Sequence, residues 1–451
     1  MDLGPGGGQP CQYRLLPWGG LRYCPTCADL GNGRSSTNQS SRLRGDSASP
    51  VPTVQRLHLS ILLQHPINIQ GATFVGEASF RNATFPGGAN FSEAEFQKDA
   101  CFTGAQFHSG AGRFISAGFH GDADFGMAGF AVKAEFQDAR FSGAASFQSA
   151  PLAIADFSRA SFGSDSDFSH AALGLADFTS TAFLSEVDFT GTTFSKSVRF
   201  VGDGNNLVFA RGAVASFLDS SFMVPQGVIF HHVFLGRALL CGIDVREMDF
   251  TDVEWAPRSS WVPLLRPAGL FGVADELAPR DKHRGRDYAL IGKLYRQLKH
   301  NYEEQRDPIT AGDFHYGEMR MRRLSRPHRR KSVTFLKRNL SFLALYEWVS
   351  GYGEDYRRPV AWIAVVIFIS ALLFALVPAF GLVTNPPSGQ SQPVHGFWRP
   401  LLHSVMCFLL RGDRPFGPEG LWGQYLSLVE GTIGAPLIAM LVLALNRRFK
   451  R

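Results

Sequence analysis

The stretch GATFVGEASFRNATFPGGANFSEAEFQKDACFTGAQF, residues 71–107, places a Phe every five or six residues, at Phe74, Phe80, Phe85, Phe91, Phe96, Phe102 and Phe107. A small residue stands two places before nearly every one, as with Ala72 before Phe74, Ala78 before Phe80 and Ala83 before Phe85. Two inward residues separated by one outward residue form a strand-like period of two, held only briefly before the chain turns a corner. Neither an amphipathic helix nor a sandwich strand keeps that beat.

Working outward, the beat continues to about Trp255, and because the spacing alternates between five and six, four units span about 22 residues. Sorting by every fourth unit gives four columns. They are Phe74, Phe96, Phe119, Phe141, Phe162, Phe183; Phe80, Phe102, Phe125, Phe147, Phe168, Phe189; Phe85, Phe107, Phe130, Leu152, Leu173, Phe194; and Phe91, Phe114, Phe136, Phe157, Phe178, Phe200. Both Leu replacements keep an Ala two places earlier, Ala150 and Ala171. Fixed-period self-similarity of this length is the mark of a solenoid.

On these residues the chain resembles the Phe-centred branch of the pentapeptide-repeat family. That resemblance implies an all-β, right-handed quadrilateral β-helix over residues 57–256, of roughly eight coils and, at ~4.8 Å between neighbouring strands, about 40 Å long. Such a rod is filled by stacked Phe and Ala, which leaves its outer surface as the part a partner can touch. The beat breaks at VGDGNNLVFARGAVAS, whose Gly202, Gly204 and paired Asn predict a loop, and resumes with Phe230, Leu235, Leu240, Val245, Phe250 and Trp255 at the centre. Ile61, Leu63, Ile67 and Ile69 read as aliphatic units closing the first coil.

Charge divides the chain. Residues 72–255 carry 21 acidic and 11 basic side chains, a net −10 against +6 for the whole, so the remainder carries +16. The basic excess lies outside the repeat and does not mark the rod as a nucleic-acid binder. Six scattered cysteines imply no disulfide framework. Residues 1–56, rich in Gly, Pro, Ser and Arg, read as a disordered tail without an apolar signal sequence. Within it Cys11, Cys24 and Cys27 form half of a zinc-ribbon pattern, a candidate metal site that lacks an evident fourth ligand. His231 and His232 read as corner residues.

Beyond the repeat, residues 257–282 read as a Pro-rich linker and 283–326 as a helical hairpin. Leu290, Leu294, Leu298 and Tyr302 line the first helix, and Phe314, Met319, Met321 and Leu324 the second; Asp307 and Pro308 cap the break. The string AGDFHYGEMRMRR resembles a segment of membrane-anchored pentapeptide-repeat proteins, and the hairpin is expected to cap the rod or rest on a membrane. Residues 327–358 read as a basic juxtamembrane segment, with Leu340, Phe342, Leu343, Leu345, Tyr346 and Trp348 suited to an interfacial helix on anionic lipid.

Residues 359–446 predict a two-span membrane domain, its spans at 360–383 and 425–445, with a re-entrant segment at 398–412 and a basic tail at 447–451. Basic clusters before the first span and after the second predict cytoplasmic termini and an outer 384–424 segment at the cell membrane. Span, short helix, loop and span resemble the two-transmembrane potassium-channel-type pore module, with Ser404, Phe408, Gly412 and Asp413 near its pore helix and filter. Leu409, Leu410 and Arg411 stand where that family carries its Thr-x-Gly-Tyr-Gly filter. Glu430, about one turn inside the second span, is the best functional candidate in the membrane.

The expected function is a non-catalytic, membrane-anchored interaction or sensing module. Nothing resembles a nucleophile with its base, a phosphate loop or a complete metal set, so no enzyme and no cofactor is expected. Lipid is the expected partner, a homo-tetramer is an expected assembly, and nucleic acid is not expected. The alternatives are an ion channel regulated by the rod and, by resemblance to family members that protect topoisomerases, a DNA mimic that binds them.

Overall fold

In the computed structural model the described residues are 53–54, 57–58, 66–204, 207–258, 271–277, 287–325, 341–377, 380–384, 396–409, 416–418 and 420–449. They fall into two compact units, residues 1–256 with 273–286 and residues 257–272 with 287–451.

The first unit is a parallel β-solenoid of about eight turns. Each early turn contributes four short strands, as in Thr73–Phe74, Ala78–Ser79, Thr84–Phe85 and Ala89–Asn90. Each strand pairs in parallel with its counterpart about 22 residues on, so Phe74 meets Phe96 and Ala78 meets Ala100. The sequence columns are thus physical ladders. Phe74 stacks on Phe96 at 4.6 Å and Phe85 on Phe107 at 4.7 Å between ring centroids. Rings of neighbouring columns meet edge to face, as Phe91 does with Phe102 at 5.4 Å and 83°. All twenty-four column residues are buried. The small inward residue two places earlier is needed for space: a Cβ on Gly112 would come within 2.4 Å of the Phe130 ring.

The corners are not equivalent. Two places after the central residue in the columns of Phe80 and Phe91, the backbone takes positive φ, at Asn82, Glu93, Ser116, Met127, Asp138, Ser149, Arg159, His170 and Ser180. The column of Phe74 turns without it, and that of Phe85 shows it only at Gly88, three places after Phe85. In two turns the corner after Leu152 or Leu173 is drawn out altogether, and Pro151–Asp156 pairs with Ala172–Asp177 as six-residue strands.

Three sequence expectations need correction in this unit. The solenoid starts before residue 57, because Thr53–Val54 already pairs with Thr73–Phe74. The column does not lapse in the loop after Phe200: Phe209 bridges to Phe183 and stacks on it at 5.6 Å, so the insertion lengthens the path without removing the ring. Residues 257–282 are not one linker, since among the described residues 273–277 group with the solenoid unit and 257–258 and 271–272 with the helical one. There, helix α1 (Ala274–Leu277) packs beside the Ala238–Leu239 strand. Its Asp275 carboxylate accepts the N–H groups of Leu240 and Cys241 at 3.0 and 3.1 Å, covering backbone donors of a late turn. At the corner expected for His231 and His232, His231 lies 3.5 Å from the Asp252 carboxylate of the next turn.

The second unit is helical: α2 (Tyr288–Glu304), α3 (Pro308–Leu324), α4 (Phe342–Ser350), α5 (Arg357–Leu376), α6 (Trp398–Phe408) and α7 (Leu421–Phe449). Helices α2 and α3 form the hairpin, and Asp307 caps α3 by accepting from Ile309 and Thr310 ahead of Pro308. Gly317 lets the pair close, because a Cβ there would lie 2.4 Å from the Tyr295 ring. Leu290, expected in the core, is exposed; Ile291 takes the buried place one residue on.

Helix α5 stops at Leu376, short of the expected 383. Val377, which precedes Pro378, turns extended, as a residue before proline favours. Leu382–Thr384 then pairs antiparallel with Phe416–Pro418. Two helical segments, Arg357–Leu376 of 20 residues and Leu421–Asn446 of 26, are long and apolar enough to cross a membrane.

Candidate functional site

Among the described residues, buried polar side chains gather at two places in the helical unit. The first lies where α5, α6 and α7 meet. Short helix α6 carries His403, Ser404 and Cys407 on one face, and α7 carries Ser427, Glu430 and Gly434 at matching helical spacing. His403 and Ser404 are wholly buried and Glu430 is 1% exposed.

The hydroxyl of Ser404 makes a short hydrogen bond to the Glu430 carboxyl and lies 3.2 Å from the carbonyl of Ile367 on α5. His403 spans the site, with Nδ1 3.1 Å from the Phe416 carbonyl and Nε2 3.1 Å from Ser427 Oγ. A carbonyl only accepts, so Nδ1 carries the proton there. Cys407 Sγ is 3.3 Å from Nε2, and the Phe374 ring stands edge-on to the imidazole at 5.0 Å. Phe408 packs against Gly434, where a Cβ would be 3.2 Å from its ring.

The sequence candidates Ser404, Phe408 and Glu430 are therefore brought together. Glu430 sits nine residues into α7, deeper than the single turn expected, because α7 begins at Leu421 rather than Tyr425. Gly412 and Asp413 lie outside the described residues, as do Cys11, Cys24 and Cys27. Sequence reasoning missed His403, Cys407 and Ser427, although the 403, 404, 407 spacing on a short helix and the 427, 430, 434 spacing on a long one already put each set on one face.

The second place is a knot around Glu347 of α4. Its carboxylate, little exposed, accepts from Tyr316 OH at 2.9 Å and Tyr352 OH at 3.0 Å and pairs with Arg323 at 2.8 Å. Arg358, at the start of α5, donates to the Glu347 carbonyl at 2.8 Å and to Asp355 at 3.2 Å. Arg258 donates to Tyr295 OH at 2.6 Å and lies over the Tyr316 ring, 5.1 Å from its centroid. Through its carboxylate and its backbone carbonyl, Glu347 thus joins α3, α4 and the head of α5. Burial, with the Glu347 charge beside them, pushes the Tyr316 and Tyr352 phenols above their ordinary range, so both act as donors.

Asp313 lies nearby on α3. Burial pushes its carboxyl up to about 8, against the lowering effect of the Phe271 backbone N–H; Glu354 and Asp307 push it further up, and Arg258 opposes them. Its Oδ2 is buried without a hydrogen-bond partner among the described residues.

On the solenoid the exposed polar residues pair mostly along ladders, for example Arg113 with Glu135 at 2.9 Å and Lys133 with Asp156 at 3.2 Å. Among the described residues no three His, Cys, Asp or Glu side chains converge as a metal-holding group.

A family model described as Pentapeptide repeats (9 copies) matches residues 63–100 of the chain. No curated protein and no solved structure matches the chain significantly.

Proposed function

We propose that this pentapeptide-repeat protein is a membrane-anchored, non-catalytic interaction module, its solenoid being the surface that partners touch and its helical unit the anchor. The observation that carries the reading is the filled interior. Every column residue of the solenoid is buried, the Phe side chains in ring-to-ring contact, so recognition falls to the outward Ser, Thr, Asp, Glu, Arg and Gln positions. The form we propose for the winding is right-handed and four-sided.

The anchor reading rests on how α5 and α7 are covered. Both leave large apolar side chains exposed, among them Val365, Phe368, Ile369 and Leu372 on α5 and Leu428, Ile433, Val442 and Leu443 on α7. In water such a surface is costly, and in hydrocarbon it is not. The buried polar side chains Ser427 and Glu430 of α7 face inward instead, onto His403 and Ser404 of α6, as a bilayer requires. Both termini are proposed to be cytoplasmic, from the basic residues that flank the helices.

Alkaline carbonate extraction of membranes holding the full chain tests this. The protein is expected in the pellet, and a chain cut before Arg357 in the supernatant. Release of the full chain by carbonate would overturn the anchor.

A further inference from the structure

Helix α4 is built inside out. Along Phe342–Ser350 exposure repeats with a period of three: Phe342, Leu345 and Trp348 are exposed at 76%, 56% and 68%, whereas Ala344, Glu347 and Ser350 are buried. A helix on the surface of a water-soluble domain turns its apolar stripe inward. Here the inward stripe holds the charge. The Glu347 knot explains how: Tyr316, Tyr352 and Arg323 satisfy the carboxylate, Ser350 Oγ donates to the Tyr346 carbonyl, and Leu343 and Tyr346 pack on the Tyr316–Tyr352 pair. With both flanks committed, the third face stays exposed among the described residues.

We infer that the Phe342, Leu345 and Trp348 stripe of α4 docks into the headgroup and acyl-chain boundary of a lipid bilayer, held apolar face outward by the Glu347 knot. The inference rests on the reading of α5 as a membrane helix and deepens it.

The occupant follows from continuity. Trp348 touches Trp362 of α5, with ring centroids 5.8 Å apart, and the Trp362 indole N–H donates to the Trp348 carbonyl at 3.3 Å. The stripe therefore opens beside the first turns of a helix whose own exposed side chains, Val360 and Val365, are apolar. A surface continuous with a lipid-facing helix meets the same solvent. Trp at this level presents an apolar body and a polar edge, which suits the boundary. Exposed Arg357, at the head of α5, adds a positive charge for anionic headgroups.

The test uses the full chain reconstituted into vesicles of phosphatidylcholine with phosphatidylglycerol. The phosphatidylcholine is brominated either near the headgroup end or near the methyl end of its acyl chains. The emission of Trp348 is obtained as the difference between the unsubstituted chain and Trp348→Phe, and that of Trp422, at the start of α7, from Trp422→Phe. The Trp348 component is expected to be quenched at least about twofold more by the shallow bromines than by the deep ones, as burial to about 5–10 Å predicts. Leu345→Asp, which leaves the knot intact, is expected to abolish that difference. A Trp348 component untouched by either lipid, or quenched more by the deep one, overturns the inference. If Trp422 is quenched in the same vesicles, the anchor survives that failure. If neither Trp348 nor Trp422 is quenched, the anchor falls with it.

Discussion

Phe125 sits mid-solenoid, fully buried, and its removal measures the ring pillar directly. It stacks on Phe102 at 4.8 Å and Phe147 at 5.1 Å and meets Phe114, Phe119 and Phe136 edge to face at 5.2, 5.8 and 5.1 Å. Phe→Ala in a core costs about 3–5 kcal/mol through lost transfer energy and the cavity left behind. Ring pairs add about 0.5–1.5 kcal/mol each beyond their area. The neighbours cannot collapse into the gap, because each is held by parallel pairing to the turns above and below. We therefore expect Phe125→Ala near the top of that range, about 4–5 kcal/mol. Phe125→Leu should cost only about 1–2 kcal/mol, since Leu keeps most of the volume and the chain already places Leu152 and Leu173 in a Phe column. Equilibrium urea unfolding of the full chain in mild detergent, followed by far-ultraviolet circular dichroism, reads both values as midpoint shifts at constant slope. An Ala variant costing under about 1 kcal/mol, or a Leu variant costing as much as Ala, would refute the reasoning.

Three further outcomes follow from the geometry. Asp313 has a folded pKa of about 8 against an ordinary 3.8, so the folded state holds the proton more tightly than the unfolded one. Its stabilising contribution is complete below about pH 4 and is lost as pH rises through about 8. The helical unit should therefore melt at a lower temperature at about pH 9 than at about pH 5, and Asp313→Asn should flatten that dependence in thermal scans. Glu347→Ala leaves Arg323 and two phenols without their shared acceptor, and should destabilise the helical unit by about 3–5 kcal/mol; faster amide exchange in α4 without change in the solenoid would register it. Met127, exposed and at φ 55°, holds a left-handed corner that costs an L-residue about 1–2 kcal/mol. Met127→Asn should raise the urea midpoint by up to about 1 kcal/mol, and a lowered midpoint would contradict the corner assignment.

The columns were legible in the sequence because parallel in-register stacking makes residues about 22 apart into spatial neighbours, so the period is itself the contact map. Phe209 escaped because counting at a fixed interval cannot follow a ring delayed by an inserted loop, although the pairing with Phe183 restores it. Helix α1 was hidden among prolines, since a four-residue turn carries no periodicity and its role rests on one carboxylate. In the helical unit Ser404 and Phe408 could be singled out by resemblance to a pore helix, and Glu430 because a carboxylate interrupts an apolar run. His403 and Ser427 were overlooked because their partnership joins two helices, which no local pattern records. Glu347 drew no reading from the sequence for the same reason: its partners Tyr316 and Arg323 come from another helix.

The most direct measurement of the whole account is a cryo-electron microscopy map of the full chain in lipid nanodiscs. We expect Phe74 above Phe96 and Phe85 above Phe107 at the spacing of adjacent parallel strands, with α5 and α7 enclosed by the lipid slab. Separated rings, or helices α5 and α7 standing clear of the lipid, would contradict it.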